Sequence, residues 1–273
     1  MRISVLGSGS RGNSILVEAG ETRVLVDAGF SGKDLERRLD TIGVPPTALT
    51  AIVITHDHQD HTRGMGVFSR RHGFPIYLTE PTETACGKLL TGKEPVRHYR
   101  PGYPFDIDSI RVHPFITIHD AADPVAVALE DVETGSRVGI ATDLGHPTAQ
   151  VSHALSGCDF LVLEANHDES LLMEGPYPWS VKERISSTHG HLSNHEAAQF
   201  ATELYHPRLA GVVLAHLSAE CNRPELAEAV VGEALRLAGY EGHLTVAGQE
   251  EPTPLYDIEE LRARMGPEQL DLI

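Results

Sequence analysis

Apolar positions in the first half of the chain come in short runs broken by glycine and small polar residues. Ile3–Leu6 and Ile15–Glu18 read as short strands around a Gly/Ser loop, Gly7–Ser14, and Thr22–Asp27 as a third strand ending in Asp-Ala-Gly. Lys33–Ile42 has helical spacing and stops at Gly43 and Pro45. Ala51–Thr55 is a continuous apolar run, the mark of a strand buried on both faces. It delivers the chain into His56-Asp57-His58-Gln59-Asp60-His61. A helix through Arg71, a strand at Pro75–Leu78 and a helix from Pro81 to about Leu90 are expected next. Residues 91–104, with three prolines and two glycines, read as loop.

From Ile110 the pattern turns to β. Ile110–Ile118, Val125–Val132 and Arg137–Thr142 read as strands, and Asp159–Glu164 and Ala210–Ala215 as two more buried ones with helical segments between them. Ser193-Asn194-His195-Glu196 is a capping-box pattern that starts a helix running to Tyr205. A last helix spans about Pro224–Ala238, and an acidic tail follows. Hairpin-style strands precede β-α alternation in both halves. This suits an α/β (α+β) chain with a sheet-on-sheet core and helices outside, read as one domain over residues 1–273.

Composition narrows the class. Apolar residues make up 41% and charged residues 22% of 273, a globular mixture that excludes a disordered chain. No apolar run is long enough to span a bilayer, and the N-terminus lacks a signal-peptide core, so a cytoplasmic protein with no membrane partner is expected. Cys86, Cys158 and Cys221 lack CxxC spacing and read as reduced thiols. Net charge is −17, which argues against a generic nucleic-acid coat. The charge is uneven, however. Residues 1–111 carry 14 basic and 13 acidic side chains, and residues 112–273 carry 8 and 26. A polyanion can therefore meet the N-terminal half. Sixteen histidines exceed what packing needs and point to metal or proton chemistry.

The densest signal is the segment 55–61, with three imidazoles and two carboxylates just after a buried strand. Neutral imidazole nitrogens and carboxylate oxygens are what a divalent metal takes, and without a cation Asp57 and Asp60 would repel. A solvated polar loop is the alternative, but the strand context and density favour metal. Further ligand-type residues fall at strand ends: His119 after Thr117-Ile118, Asp143 after Ala141-Thr142, and His216 after Leu214-Ala215. Strand ends are where α/β folds place their sites.

The order His-x-His-x-Asp-His, His, Asp, His resembles the metallo-β-lactamase-fold hydrolases. Further matching pieces are Leu6–Asn13, Val26–Gly29, His119–Pro124, Glu164–Asp168, Tyr177-Pro178-Trp179, Gly190–Asn194 and Ala215–Ser218. Together they resemble one branch, the WalJ/YycJ-like exonucleases, over nearly the whole chain. The resemblance implies a four-layer αβ/βα sandwich with two divalent metal ions per chain. His56, His58 and His119 would bind one, Asp60, His61 and His216 the other, and Asp143 would bridge them. Asp27 would stand behind the ligands and fix their loop. The donor set is compatible with zinc or manganese. A hydroxide bridging the metals would attack phosphorus.

Asp60, His191 and His167 form the catalytic set this implies. His191 is the first candidate to protonate the leaving group, and His167 the second, or a phosphate contact. His189 departs from the branch pattern and receives no role. The Gly7–Asn13 loop offers backbone N–H groups and small hydroxyls to a phosphate. Substrate contacts are expected from Ser10 and Asn13 there, and from Ser193 and Asn194. Arg63, Arg70 and Arg71 are candidates to track phosphates. The implied activity is metal-dependent 5′-to-3′ exonucleolysis of DNA ends, with a place in DNA repair; protein partners are not indicated. Since the fold hosts many chemistries, a small-molecule phosphodiesterase or thioesterase is the alternative. Only 73 residues separate Asp143 from His216, which leaves no room for a large inserted substrate clamp.

Overall fold

The computed structural model describes residues 1–266; residues 267–273, the end of the acidic tail, lie outside the described residues. The chain opens with three antiparallel strands, β1 (Arg2–Gly7), β2 (Ser14–Ala19) and β3 (Thr22–Val26). Helix α1 (Gly32–Thr41) leads to β4 (Ala51–Val53), and α2 (Gln59–Thr62) and α3 (Met65–His72) lead to β5 (Ile76–Leu78). Helix α4 (Glu80–Cys86) precedes β6 (Val96–His98). The second half begins with β7 (Phe105–Ile107), β8 (Ile110–Ile116), β9 (Val125–Asp131) and β10 (Arg137–Ala141). Then come α5 (Ala149–Leu155), β11 (Phe160–Glu164), α6 (Glu169–Glu174), α7 (Trp179–Ile185), α8 (Asn194–Leu204) and β12 (Gly211–Ala215). Helix α9 (Pro224–Leu237), β13 (His243–Val246), β14 (Tyr256–Asp257) and α10 (Ile258–Met265) complete it.

Two seven-stranded sheets result, ordered β14-β1-β2-β3-β4-β5-β6 and β13-β12-β11-β10-β9-β8-β7. Period-two alternation builds the layers. In β3, Val24 and Val26 join Val127, Phe160 and Val213 of the other sheet in the core between the sheets. Leu25 turns the other way, onto Leu35 of α1 and Phe68 of α3. On the second sheet, Leu161 and Leu163 face outward under Val151, Phe200 and Val231 of α5, α8 and α9. With both faces covered, the inner strands are buried throughout, which is why they read as unbroken apolar runs. This is the four-layer sandwich expected.

The differences have local causes. Strand β4 ends at Val53 rather than Thr55, although Ile54 N–H still donates to Tyr77 O of β5 (2.8 Å) before the chain enters the histidine loop. The helix expected through Arg71 is split into α2 and α3 at Arg63-Gly64. Gly64 N–H donates to Ala28 O (2.8 Å), and a Cβ there would lie 2.0 Å from Phe30 O. Residues 91–104 hold β6, a three-residue edge strand that is half to fully exposed and so leaves no apolar pattern. Strands β7, β13 and β14 are only three, four and two residues long, too brief to leave a pattern of their own.

Candidate metal centre

Every candidate ligand sits where a strand of one of the two sheets ends: Asp27 after β3, residues 54–61 after β4, His119 after β8, Asp143 after β10 and His216 after β12. Asp27, Asp143 and His216 adopt positive φ (62°, 56° and 56°). Such a conformation costs a non-glycine residue about 1–3 kcal/mol, so the strain in this structure is concentrated where the strands hand over these side chains. The histidine loop is stitched to the β3 turn. Asn13 N–H donates to Asp60 O (2.7 Å) and Ala28 N–H to His61 O (2.8 Å). Gly29 permits this approach, since a Cβ there would lie 1.6 Å from Asp60 O.

Three overlapping ligand groups result, one of them formed by Asp143, Glu164, His191 and His216. In the other two, His56, His58, His119 and Asp143 present donor atoms within 4.8 Å of one another, as do Asp60, His61 and His216. Asp143 stands between these two, with Oδ2 3.1 Å from His61 Nε2 and Oδ1 3.5 Å from His216 Nε2. The rings are fixed from behind. His61 Nδ1 donates to Asp27 Oδ2 (2.7 Å), His119 Nδ1 to Gly190 O (3.1 Å) and His216 Nδ1 to Glu164 Oε1 (3.0 Å). His56 Nδ1 donates to Thr55 Oγ1 (3.0 Å), whose own hydrogen goes to Asp27. Each of these bonds leaves Nε2 as the inward lone pair. His58 is reversed: its Nε2 donates to Asp120 O (2.8 Å), leaving Nδ1. Nε2 of His56, His119 and His216 and Oδ2 of Asp143 are buried without a hydrogen-bond partner. Buried polar atoms without partners are costly, and here they converge on one place. A divalent cation is what such a donor set fits.

Electrostatics agrees. Burial lowers the pKa of His56 and His119 and keeps them neutral, as a ligand must be. Burial also opposes charge on His61, but Asp143 and Asp27 outweigh it and hold His61 well above the usual range. His216 is likewise raised, to about 10, against burial and by Asp143, Asp60 and Glu164. Burial would raise Asp143, yet His216 and His61 hold it well below the carboxylate range. Protons on two imidazoles thus balance the carboxylates in the metal-free centre.

Beside the cluster lies a cavity of about 300 Å³ lined by His58, Asp60, His119, Asp143, His191 and His216. His191 stacks its ring centroid 5.1 Å from His119 and 5.2 Å from His216, and donates Nδ1–H to Glu164 Oε1 (2.7 Å). Ser10 lies on the same rim. Other expected contacts are placed elsewhere. Asn13 is buried: its Oδ1 accepts from Ser8 Oγ and Gly9 N, and its Nδ2 faces Gly9 O and the Asp60 carboxylate. It shapes the loop rather than meeting a phosphate. Ser193 caps α8 in a complete capping box, and Asn194 is fully buried, exchanging amide bonds with Asn222. The structure thus gives both residues local structural partners. His167 is 2% exposed, paired through backbone with Ser193, and does not line the cavity. Its Nδ1 is buried without a hydrogen-bond partner.

The residue the sequence reading missed is Glu164. Fully buried at the end of β11, it accepts at Oε1 from His191 and His216 and at Oε2 from the N–H groups of Leu144 (2.9 Å) and Leu192 (3.1 Å). Burial would raise its pKa, but the two imidazoles lower it to about 2. The signal was available: Glu164 ends an apolar strand, as the residues before Asp143 and His216 do.

Two facing sheets with a His/Asp cluster at their strand ends define a metallo-β-lactamase fold whose centre is suited to divalent metal. The chain belongs to the β-lactamase superfamily, whose domain model matches residues 22–216. It is 34% identical over 243 residues to exodeoxyribonuclease YycJ of Bacillus anthracis, covering 88% of this chain and 91% of that protein. It is 33% identical over 267 residues to exodeoxyribonuclease WalJ of Streptococcus pneumoniae, covering 94% and 98%. Among solved structures, the metallo-β-lactamase-fold protein YhfI of Bacillus subtilis superposes with a TM-score of 0.71 at 19% identity over 92% of this chain and 98% of that one. No helix among the described residues is long and apolar enough to cross a membrane.

Proposed function

We propose that this protein is a metal-dependent phosphodiester hydrolase that degrades DNA from its ends, with 5′-to-3′ polarity, in the cytoplasm. The observation that carries the reading is the convergence of unpartnered buried donors on a cavity with room for about one nucleotide. The full-length similarity to two exodeoxyribonucleases supports DNA as the substrate class, and the polarity rests on the branch resemblance. Two divalent cations, zinc or manganese, held by His56, His58 and His119 and by Asp60, His61 and His216, with Asp143 shared, would supply a water ionised near neutral pH and positive charge for the phosphate oxygens.

The chain's own residues supply the rest. Asp60 lines the cavity; burial would raise its pKa, but His216 and His61 hold it ionised, so it accepts a hydrogen bond from the attacking water. His191, with Nδ1–H committed to Glu164, has Nε2 left to deliver a proton to the leaving alkoxide. Ser10 donates its hydroxyl to a phosphate oxygen at the rim. Of the expected phosphate-tracking cations, Arg70 is paired with Glu94 and Arg71 with Glu36. Arg63 and neighbouring Lys33 form no ion pair among the described residues, and they line a shallow groove along α1 and α3. Arg63 and Lys33 are thus free to follow the DNA backbone. We read the chain as one unit in this role, without an inserted clamp.

The test is topological. Stripped protein reloaded with Mn²⁺ should degrade linear single-stranded DNA and leave the covalently closed circle of the same sequence intact. Equal cleavage of the circle would refute action at ends. The net charge of −17 favours a small phosphodiester as the second reading, and cleavage of neither DNA form alongside hydrolysis of a generic phosphodiester would select it.

A further inference from the structure

One segment, residues 169–190, builds a stretch of the cavity wall that carries no candidate metal ligand. It contributes Tyr177, Val181, Arg184, Ile185 and His189 to the lining. Phosphodiester chemistry at the metal centre uses none of these groups. The segment is nonetheless held firmly in place. Lys182 Nζ donates to Met173 O (2.6 Å), tying α7 to α6, and His191 N–H donates to Ile185 O (2.9 Å), tying α7 to the centre. Gly190 and Gly145 admit the chain where no side chain could fit, since Cβ atoms there would lie 2.1 Å from Ile185 O and 2.2 Å from Thr188 O.

The wall is apolar and aromatic with a cationic rim. Tyr177 is half-buried, and its ring pairs with no other aromatic ring among the described residues. Val181 and Ile185 stand one turn apart along α7. Arg184 is the one lysine or arginine that lines the cavity, and it forms no ion pair among the described residues. An unpaired ring, two aliphatic side chains and a free guanidinium, next to a centre suited to phosphate, match a group that is flat and apolar on its faces and bonded to a phosphate. A cavity of about 300 Å³ is at the small end of ligand pockets, room for one such unit.

We propose that Tyr177, Val181 and Ile185 form the seat of the terminal nucleobase, with Tyr177 stacking on it and Arg184 guarding the rim. The inference rests on the DNA reading and adds how the end nucleotide is held. Stacking is tolerant of sequence, because every base has a π-face, so the seat positions the end without selecting a base.

The experiment compares kcat/KM on two DNA strands that differ only at the nucleotide from which degradation begins, one carrying a base and one an abasic analogue. The Mn²⁺-loaded wild type should prefer the base-bearing end roughly tenfold, mainly through KM. Tyr177→Ala should lose that factor on the base-bearing end and nothing on the abasic end, and Tyr177→Phe should match wild type on both. Equal losses of Tyr177→Ala on both ends, or a wild type indifferent to the base, would overturn the seat while leaving the DNA reading intact. A wild type that cleaves neither strand would remove the DNA reading and the seat with it.

Discussion

Replacing Glu164 by glutamine changes one atom and reverses the polarity of one hydrogen-bonding position. The carboxylate accepts from four donors: two backbone N–H groups at Oε2 and the Nδ1–H of His191 and His216 at Oε1. An amide oxygen can replace only one of these acceptors. Turned toward the imidazoles, it leaves –NH₂ facing two buried backbone donors that cannot change protonation, at roughly 1–3 kcal/mol for each. Turned toward the backbone, it keeps Leu144 and Leu192 paired, and the imidazoles adapt by moving their proton to Nε2. The second arrangement wins. In it, the neutral His216 ring that a cation requires carries its hydrogen on Nε2, the atom turned inward and buried without a partner, and cannot hold a cation. Loss of an orienting partner of this kind costs about 10–100-fold in metal affinity, or roughly 1.4–2.7 kcal/mol. Competition with a chromophoric chelator reads that affinity directly, with the circular dichroism spectrum unchanged as the control. Wild-type affinity in a folded Glu164→Gln protein would refute the claim that Glu164 sets the imidazole orientation.

Other outcomes follow from the same geometry. His191→Ala should lower kcat by about 10²–10⁴ with metal still bound, and unchanged kcat by single-turnover assay would remove it as the proton donor. His61 and His216 are held protonated at neutral pH in the metal-free centre, and a cation needs them neutral, so loading at pH 7 should release about two protons; calorimetry in two buffers of different ionisation enthalpy counts them, and none released would contradict the assignment. In metal-free protein the Glu164–His216 pair has one carboxylate lowered from 4.5 to about 2 and one imidazole raised from 6.5 to about 10. The carboxylate's contribution to stability is present above pH 4.5 and lost toward 2. The imidazole's is present below 6.5 and lost toward 10. The pair therefore contributes fully between these values, and a melting temperature that does not fall from pH 6.5 to 10 would count against it. Gly29→Ala drives a Cβ into Asp60 O and should cost at least about 1–3 kcal/mol, read as a melting temperature lower by several degrees.

The sequence was most legible where side chains answer to two constraints at once. Strands β11 and β12 are covered on both faces and so are apolar nearly throughout, and the candidate ligands fall at strand ends. The ends of the two sheets were harder. Strand β6 is three mostly exposed residues paired with β5 at the sheet edge, and α2 and α3 are separated by a contact between Gly64 and Phe30, 34 residues away in the chain, that no local pattern encodes. The site shows the same division. His56, His58, Asp60, His61, His119, Asp143 and His216 could be picked out by type and position. Whether a polar residue faces the cavity or the interior depends on packing. Asn13, Ser193 and Asn194 lie within polar motifs, yet their groups are taken up by the loop, by a helix cap and by Asn222, and His167 is buried with its Nδ1 unpartnered. Glu164 went unassigned because its partners, His191 and His216, are 27 and 52 residues away.

The central claim is that this cluster, loaded with metal, hydrolyses DNA from an end. The direct measurement uses stripped protein with and without restored Mn²⁺ or Zn²⁺, Asp143→Ala protein in parallel, and linear DNA labelled at either the 5′ or the 3′ terminus. Early release of the 5′ label as mononucleotide, by reloaded wild type alone, is the predicted result. Undiminished DNA hydrolysis by the stripped protein or by Asp143→Ala would contradict the account.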